Sequence, residues 1–135
     1  MSFDIFLGCY RSGEPATFKR SVFNEIFDVK TDERDPGYEV VKYPDGSGGA
    51  VYLHERSEDE IEHMMFNHCG GDTFWAKVYE LLSVTQSLMY WPTDESGYAV
   101  ASTAALKHLP ADMVEETGKV KIVRNARELE DLIYG

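Results

Sequence analysis

The sequence predicts an α+β fold: a single domain over residues 1–135, with a mainly antiparallel sheet and helices packed on it. Three observations predict it. Two alternating segments, Tyr38–Tyr43 and Ala50–His54, flank the turn residues Pro44-Asp-Gly46, which reads as a hairpin. Apolar residues recur at helical spacing around Phe18–Phe27, Phe74–Thr85 and Leu129–Ile133. Hairpins adjoin one another and helices are interspersed, so strands pair with near neighbours in the chain. A chain of this length buries roughly 65–70% of the surface its unfolded form exposes, so its core needs neither metal nor disulfide.

Each element has a local cause. Phe3 to Tyr10 is a strand with apolar residues on both sides: Phe3, Ile5, Leu7 and Cys9 on one, Phe6 and Tyr10 on the other. Such a strand belongs in the middle of a sheet. Arg11 to Pro15 is a loop, and Thr17 is the expected N-cap of the helix that carries Phe18, Val22, Phe23, Ile26 and Phe27. After Asp35-Pro-Gly37 the hairpin follows, then a charged turn at Ser57 to Glu60. Ile61 to Asn67 reads as a third antiparallel strand, with a short helix as the competing reading. Gly70-Gly71 ends it, and Asp72 is the expected N-cap of the Phe74–Thr85 helix. Short strands follow at Ser87–Trp91 and Tyr98–Ala101, then helical turns at Thr103–His108 and Ala111–Thr117. Val120–Val123 is a strand, and Asn125 with Glu128 is a capping box that opens the last helix.

The charge is the chain's strongest chemical signal. Twenty-four acidic residues oppose thirteen basic ones, a net charge of −11. Between Glu25 and Glu62 stand twelve carboxylates and four cations, so most of the excess is concentrated there. Such a field repels nucleic acid and anionic membrane, and attracts a basic protein partner. Asp32, Glu33, Asp35, Glu55, Glu58, Asp59 and Glu60 are the expected partner-binding carboxylates. Trp91 joins them as an aromatic anchor, with packing over an edge of the core as its other reading. A solvated face that keeps the protein soluble is the alternative for the carboxylates.

No catalytic signature accompanies the charge. Cys9 stands two residues before Arg11, too close to form a phosphate-wrapping loop, and reads as a small buried hydrophobe. The glycines form neither a dinucleotide fingerprint nor a P-loop. His63, His68, Cys69 and Asp72 are competent zinc ligands by type, and a small enzyme or metal-binding protein built on them is the rival reading. Their spacing matches no structural zinc pattern. No cofactor and no metal is expected. Cys9 and Cys69 read as two free thiols of a cytoplasmic protein, with one long-range disulfide if the chain is exported. Asp4 interrupts the first apolar run and no basic segment precedes it, unlike a secretion signal.

Three segments carry a resemblance. Phe3-Asp-Ile-Phe-Leu-Gly-Cys-Tyr10, Gly13-Glu-Pro15 ahead of Phe23-Asn-Glu-Ile-Phe27, and Leu109-Pro-Ala-Asp-Met113 resemble a group of small acidic bacterial proteins of uncharacterised function. In size, acidity and α+β pattern the chain is also similar to the immunity proteins that neutralise bacterial toxins. The resemblance implies a bacterial cytoplasmic protein that binds another protein without catalysis. It assigns no site residue.

Overall fold

Alternating apolar residues build one large sheet. In the computed structural model, residues 4–29, 37–91, 97–112, 114 and 120–134 are described. The strands are β1 (Ile5–Gly8), β2 (Tyr10–Arg11), β3 (Glu14–Pro15), β4 (Phe18–Lys19), β5 (Tyr38–Lys42), β6 (Gly48–Ser57), β7 (Glu60–Gly70), β8 (Leu88–Trp91), β9 (Gly97–Val100) and β10 (Val120–Ile122). The helices are α1 (Arg20–Phe27), α2 (Asp72–Thr85), α3 (Thr103–Leu106) and α4 (Ala126–Tyr134). The sheet runs β10-β9-β8-β1-β7-β6-β5, with β4 also paired to β7, and β2–β3 form a separate small hairpin. Every pairing is antiparallel except β10 on β9. The fold is α+β, and β1 lies at the centre, as its two apolar sides require.

The two sides of the sheet differ. Ile5, Leu7, Val51, Leu53, Met64, Phe66, Met89 and Ala99 point to one side. There Phe23 and Phe27 of α1, the buried stripe of α2, and Leu129 and Ile133 of α4 complete the main core. On the opposite side, Leu88 and Val100 meet Ala105 and Leu109 in a second, smaller cluster. The α3 segment therefore covers that side only over β8–β10. From β5 to β1 no described helix lies over it.

Several local expectations are corrected. Residues 61–67 are strand, as expected, but β6 and β7 run longer than the alternation alone indicated. Bulges near His54, Glu55 and Ser57 let both strands continue to the turn. Thr17 does not cap α1: Phe18 and Lys19 first pair with β7, Lys19 takes the cap position, and the Thr17 hydroxyl donates to Glu60. Asp72 is not a cap either. It lies in the first turn of α2, one residue past Gly71, because the partners of the helix N–H groups come from the β5–β6 turn. At α4 the capping box forms with a shift. Asn125 Oδ1 accepts from Glu128 N–H, while Glu128 Oε1 accepts from Arg124 N–H.

Candidate functional site: an aromatic row on the open sheet face

Register, not sequence proximity, assembles the site. Tyr38 stands opposite Tyr52, Tyr52 opposite Met65, Met65 opposite Phe6, Phe6 opposite Tyr90, and Tyr90 opposite Tyr98. One lateral row thus crosses six neighbouring strands on the side away from α1, α2 and α4. Its rings touch. The centroids are 4.8 Å apart for Tyr38–Tyr52, 5.1 Å for Phe6–Tyr90 and 6.3 Å for Tyr90–Tyr98. Such cross-strand pairs stabilise the sheet and keep the side chains ordered. Tyr98 lies against the small second cluster. Towards β5 the row is open: Tyr52 is 40% exposed and nearby Val40 53%.

The next row holds the ionisable groups. His54 stands opposite His63, with their rings stacked at 4.7 Å, and Gly8 stands opposite His63 on the far side. The bulge after His54 brings Glu62 to the same end. Its Oε1 accepts from Arg56 at 2.9 Å, and its Oε2 lies 3.8 Å from His54 Nε2, beyond hydrogen-bond reach. The Arg56 hydrogen bond holds the Glu62 carboxyl below the usual range, against a smaller opposing effect of burial. Burial pushes the His63 imidazole down, and the neighbouring His54 adds to this. Its ring is therefore held towards the neutral form.

Two concavities flank His63. One is a shallow groove of about 300 Å³ lined by Phe6, Tyr52, His54, His63 and Met65. The other is a hollow of about 130 Å³ above Gly8, bounded by Tyr10, Pro15, Glu62, His63 and Tyr90. The Tyr10 ring packs over Gly8, where a Cβ would meet it at ordinary contact distance, 3.4 Å. Burial raises the Tyr10 phenol pKa and the Glu62 charge raises it further. Tyr90 is raised by burial first, then by Tyr10 and Tyr98.

The expected site residues separate into several groups. Asp32, Glu33 and Asp35 lie outside the described residues. Glu55 does not belong to an exposed field: with Glu39 it holds the guanidinium of fully buried Arg20. Glu58, Asp59 and Glu60 are exposed at the β6–β7 turn. Trp91 is corrected from exposed anchor to core. It is 3% exposed and lies flat on Gly97, where a Cβ would come within 2.1 Å of the ring.

The rival ligand set does not assemble. Cys69 packs with the main core, close to Gly49 and Phe74, whereas His63 faces the open side. Among the described residues no three His, Cys, Asp or Glu side chains are placed to hold a metal ion. Burial pushes the Cys9 thiol up and raises Cys69 to about 11, so neither is a ready thiolate.

Sequence reasoning missed the aromatic row. Its only signal was phase: Phe6, Tyr38, Tyr52, Tyr90 and Tyr98 all occupy the position of their strand that alternates with the core residues. Comparison with family models, with curated proteins and with solved structures gave no match. No described helix is long and apolar enough to cross a membrane.

Proposed function

We propose that this chain is a non-catalytic protein-binding module, immunity- or inhibitor-like in general character, that docks a basic protein partner on the open sheet face. The observation that carries the reading is the part of the aromatic row from Tyr38 to Phe6, over which no described helix lies. Ordered tyrosines, a phenylalanine and a methionine on a rigid sheet supply the large, low-entropy contact area that protein interfaces favour. The acidic turn at Glu58, Asp59 and Glu60 stands at the end of the same face, beyond His54 and His63. An apolar centre with a charged rim is the usual division of labour in an interface.

Charge selects the occupant. A net charge of −11 attracts a basic protein and opposes pairing with a second copy of this chain. The two free thiols, Cys9 and Cys69, fit a reducing compartment such as the bacterial cytoplasm.

The test begins with capture by the wild-type chain, followed by identification and purification of the captured protein. Its affinity is then measured against two variants. Tyr52→Ser with Met65→Ser should weaken binding by about tenfold or more, mainly through faster dissociation. Glu58→Gln with Asp59→Asn and Glu60→Gln should slow association and flatten its salt dependence. Wild-type affinity and rates in both variants would remove this face from the protein's function.

A further inference from the structure

We propose that the outer edge of β5 takes an extended, basic segment of the partner as an added antiparallel strand, with one large apolar side chain of that segment lying over Val40 and Ala50. The inference rests on the protein-binding reading and names the form in which the partner binds.

The hydrogen-bond phase of β5 makes the edge. Gly37 O accepts from Leu53 N–H, and Tyr43 N–H donates to Ser47 O, both at 2.9 Å, just beyond the two ends of the β5–β6 register. Bonded pairs alternate along an antiparallel ladder, so Glu39 and Val41 also turn their backbone groups towards β6. Tyr38, Val40 and Lys42 therefore point their N–H and C=O groups away from it. β5 is the last strand at its end of the sheet, and among the described residues no backbone group pairs with that outer edge. Such an edge is a template for one more strand.

Side chains fit the same occupant. Tyr38, Val40 and Lys42 share the open face, since Val41 between them is in the core. Val40 is 53% exposed and stands opposite Ala50, while Lys42 stands opposite Gly48. These small residues of β6 leave a trough of about 700 Å³, bounded on the β5 side by Tyr38, Val40 and Lys42. A large apolar residue added opposite Val40 lays its side chain across Val40 towards Ala50, between the Tyr38–Tyr52 pair and Lys42.

Charge selects the segment. The net charge of −11 draws a basic chain to this edge and opposes a second copy, which would bring the same charge with it. Lys42 stands on the trough side, so the cations of the added strand belong on its other side, alternating with its apolar residues.

The test needs no natural partner. Acetyl-Lys-Val-Lys-Phe-Lys-Val-Lys-amide is titrated into ¹⁵N-labelled protein. It should bind with a Kd of roughly 1 mM. The amides of Tyr38, Val40 and Lys42 should move and gain protection from hydrogen exchange, while those of Glu39 and Val41, already bonded to β6, change little. Two control peptides carry the same charge, so the acidic field alone cannot separate them. N-methylation of the valines and phenylalanine removes the donors that face β5 and should abolish binding; N-methylation of the inner lysines, whose N–H groups face away, should leave it within about threefold. Val40→Pro removes one outward N–H and keeps the β5–β6 ladder, and should weaken binding by about tenfold, the scale of one backbone hydrogen bond.

Equal binding of the two methylated peptides, or no added protection at Tyr38, Val40 and Lys42, overturns the added strand, and both are read on the wild-type protein even if proline disturbs the fold. A dimer of the chain alone that Val40→Pro dissociates, seen by sedimentation, would assign the edge to a second copy instead. The docking reading is judged separately, by the Tyr52 and Met65 variants against the purified partner.

Discussion

Asp45 caps a helix that begins twenty-seven residues further along the chain: its Oδ2 accepts from both the N–H and the hydroxyl of Thr73, at 3.2 and 2.7 Å. Its Oδ1 meanwhile accepts from the N–H and hydroxyl of Ser47, whose oxygen in turn receives the Phe74 N–H. The β5–β6 turn thus supplies the partners that the first turn of α2 lacks. Asp45→Ala should lower Tm by about 3–8 °C at pH 7, the scale of a lost N-cap. The Ser47 and Thr73 hydrogen bonds hold the Asp45 carboxyl well below the usual range. A lowered carboxyl pKa stabilises fully above the unfolded value and is lost as pH falls through the folded one. The Tm gap between wild type and variant should therefore narrow only below about pH 4. Thermal melts from pH 7 to pH 2.5 check this.

Arg20 is a buried charge held from two strands. Glu39 of β5 and Glu55 of β6 meet its guanidinium, while the Phe23 ring lies 5.9 Å away. Arg20→Ala leaves two partly buried carboxylates without their cation, and should cost about 3–5 kcal/mol in urea unfolding. The further change of Glu39 and Glu55 to Gln should recover part of that loss. A double-mutant cycle measures the coupling, and additive losses would show that the three groups do not act together.

Both thiols should be silent in the folded protein. With Cys69 raised to about 11, its thiolate fraction at pH 8 is about one in a thousand, and Cys9 is buried as well as raised. Titration with a coloured disulfide reagent at pH 8 should show no fast-reacting thiol. In denaturant both should react at once. A rapid native burst of one thiol would show a reactive cysteine where burial predicts none.

Protonation of His63 should weaken the fold. Its folded pKa lies below the ordinary histidine value, chiefly through burial, then through His54, with Glu62 opposing. The unfolded chain therefore binds the proton more readily in the window just below about pH 6.5. Stability is full above that window, falls as pH drops through it, and levels off below the folded value. Tm should decline between pH 7.5 and 5.5, and His63→Asn should remove that part of the decline. An NMR titration of the His63 ring checks the direction of its shift independently.

Much of the fold was legible in the sequence because its signals are local. The alternation of Tyr38–Tyr43 with Ala50–His54 specified a hairpin, and the two-sided apolar run at Phe3–Tyr10 required a central strand, which the structure places at Ile5–Gly8. Helical spacing located α2 and α4, whose apolar stripes complete the main core. Cap assignments failed where the capping group came from elsewhere in the chain. Thr17 and Asp72 have suitable side chains in suitable places, but strand pairing delayed α1 and Asp45 displaced the local cap of α2.

The candidate site was mostly illegible for a different reason. Composition showed the acidity, but not that Glu55 is committed to Arg20 or that Trp91 lies in the core. Those assignments depend on which groups meet across six residues of chain for Trp91 and Gly97, and across nineteen and thirty-five for Arg20 with Glu39 and Glu55. The alternation by itself determined which residues of each strand share a side. Only the register of six strands decided that Tyr38, Tyr52, Met65, Phe6, Tyr90 and Tyr98 form one row, and that Gly8 lies opposite His63. Register is set by bulges, turns and the burial of the other side, each of them non-local. A slip of one residue in any strand would leave the composition untouched and turn that strand's member of the row into the core.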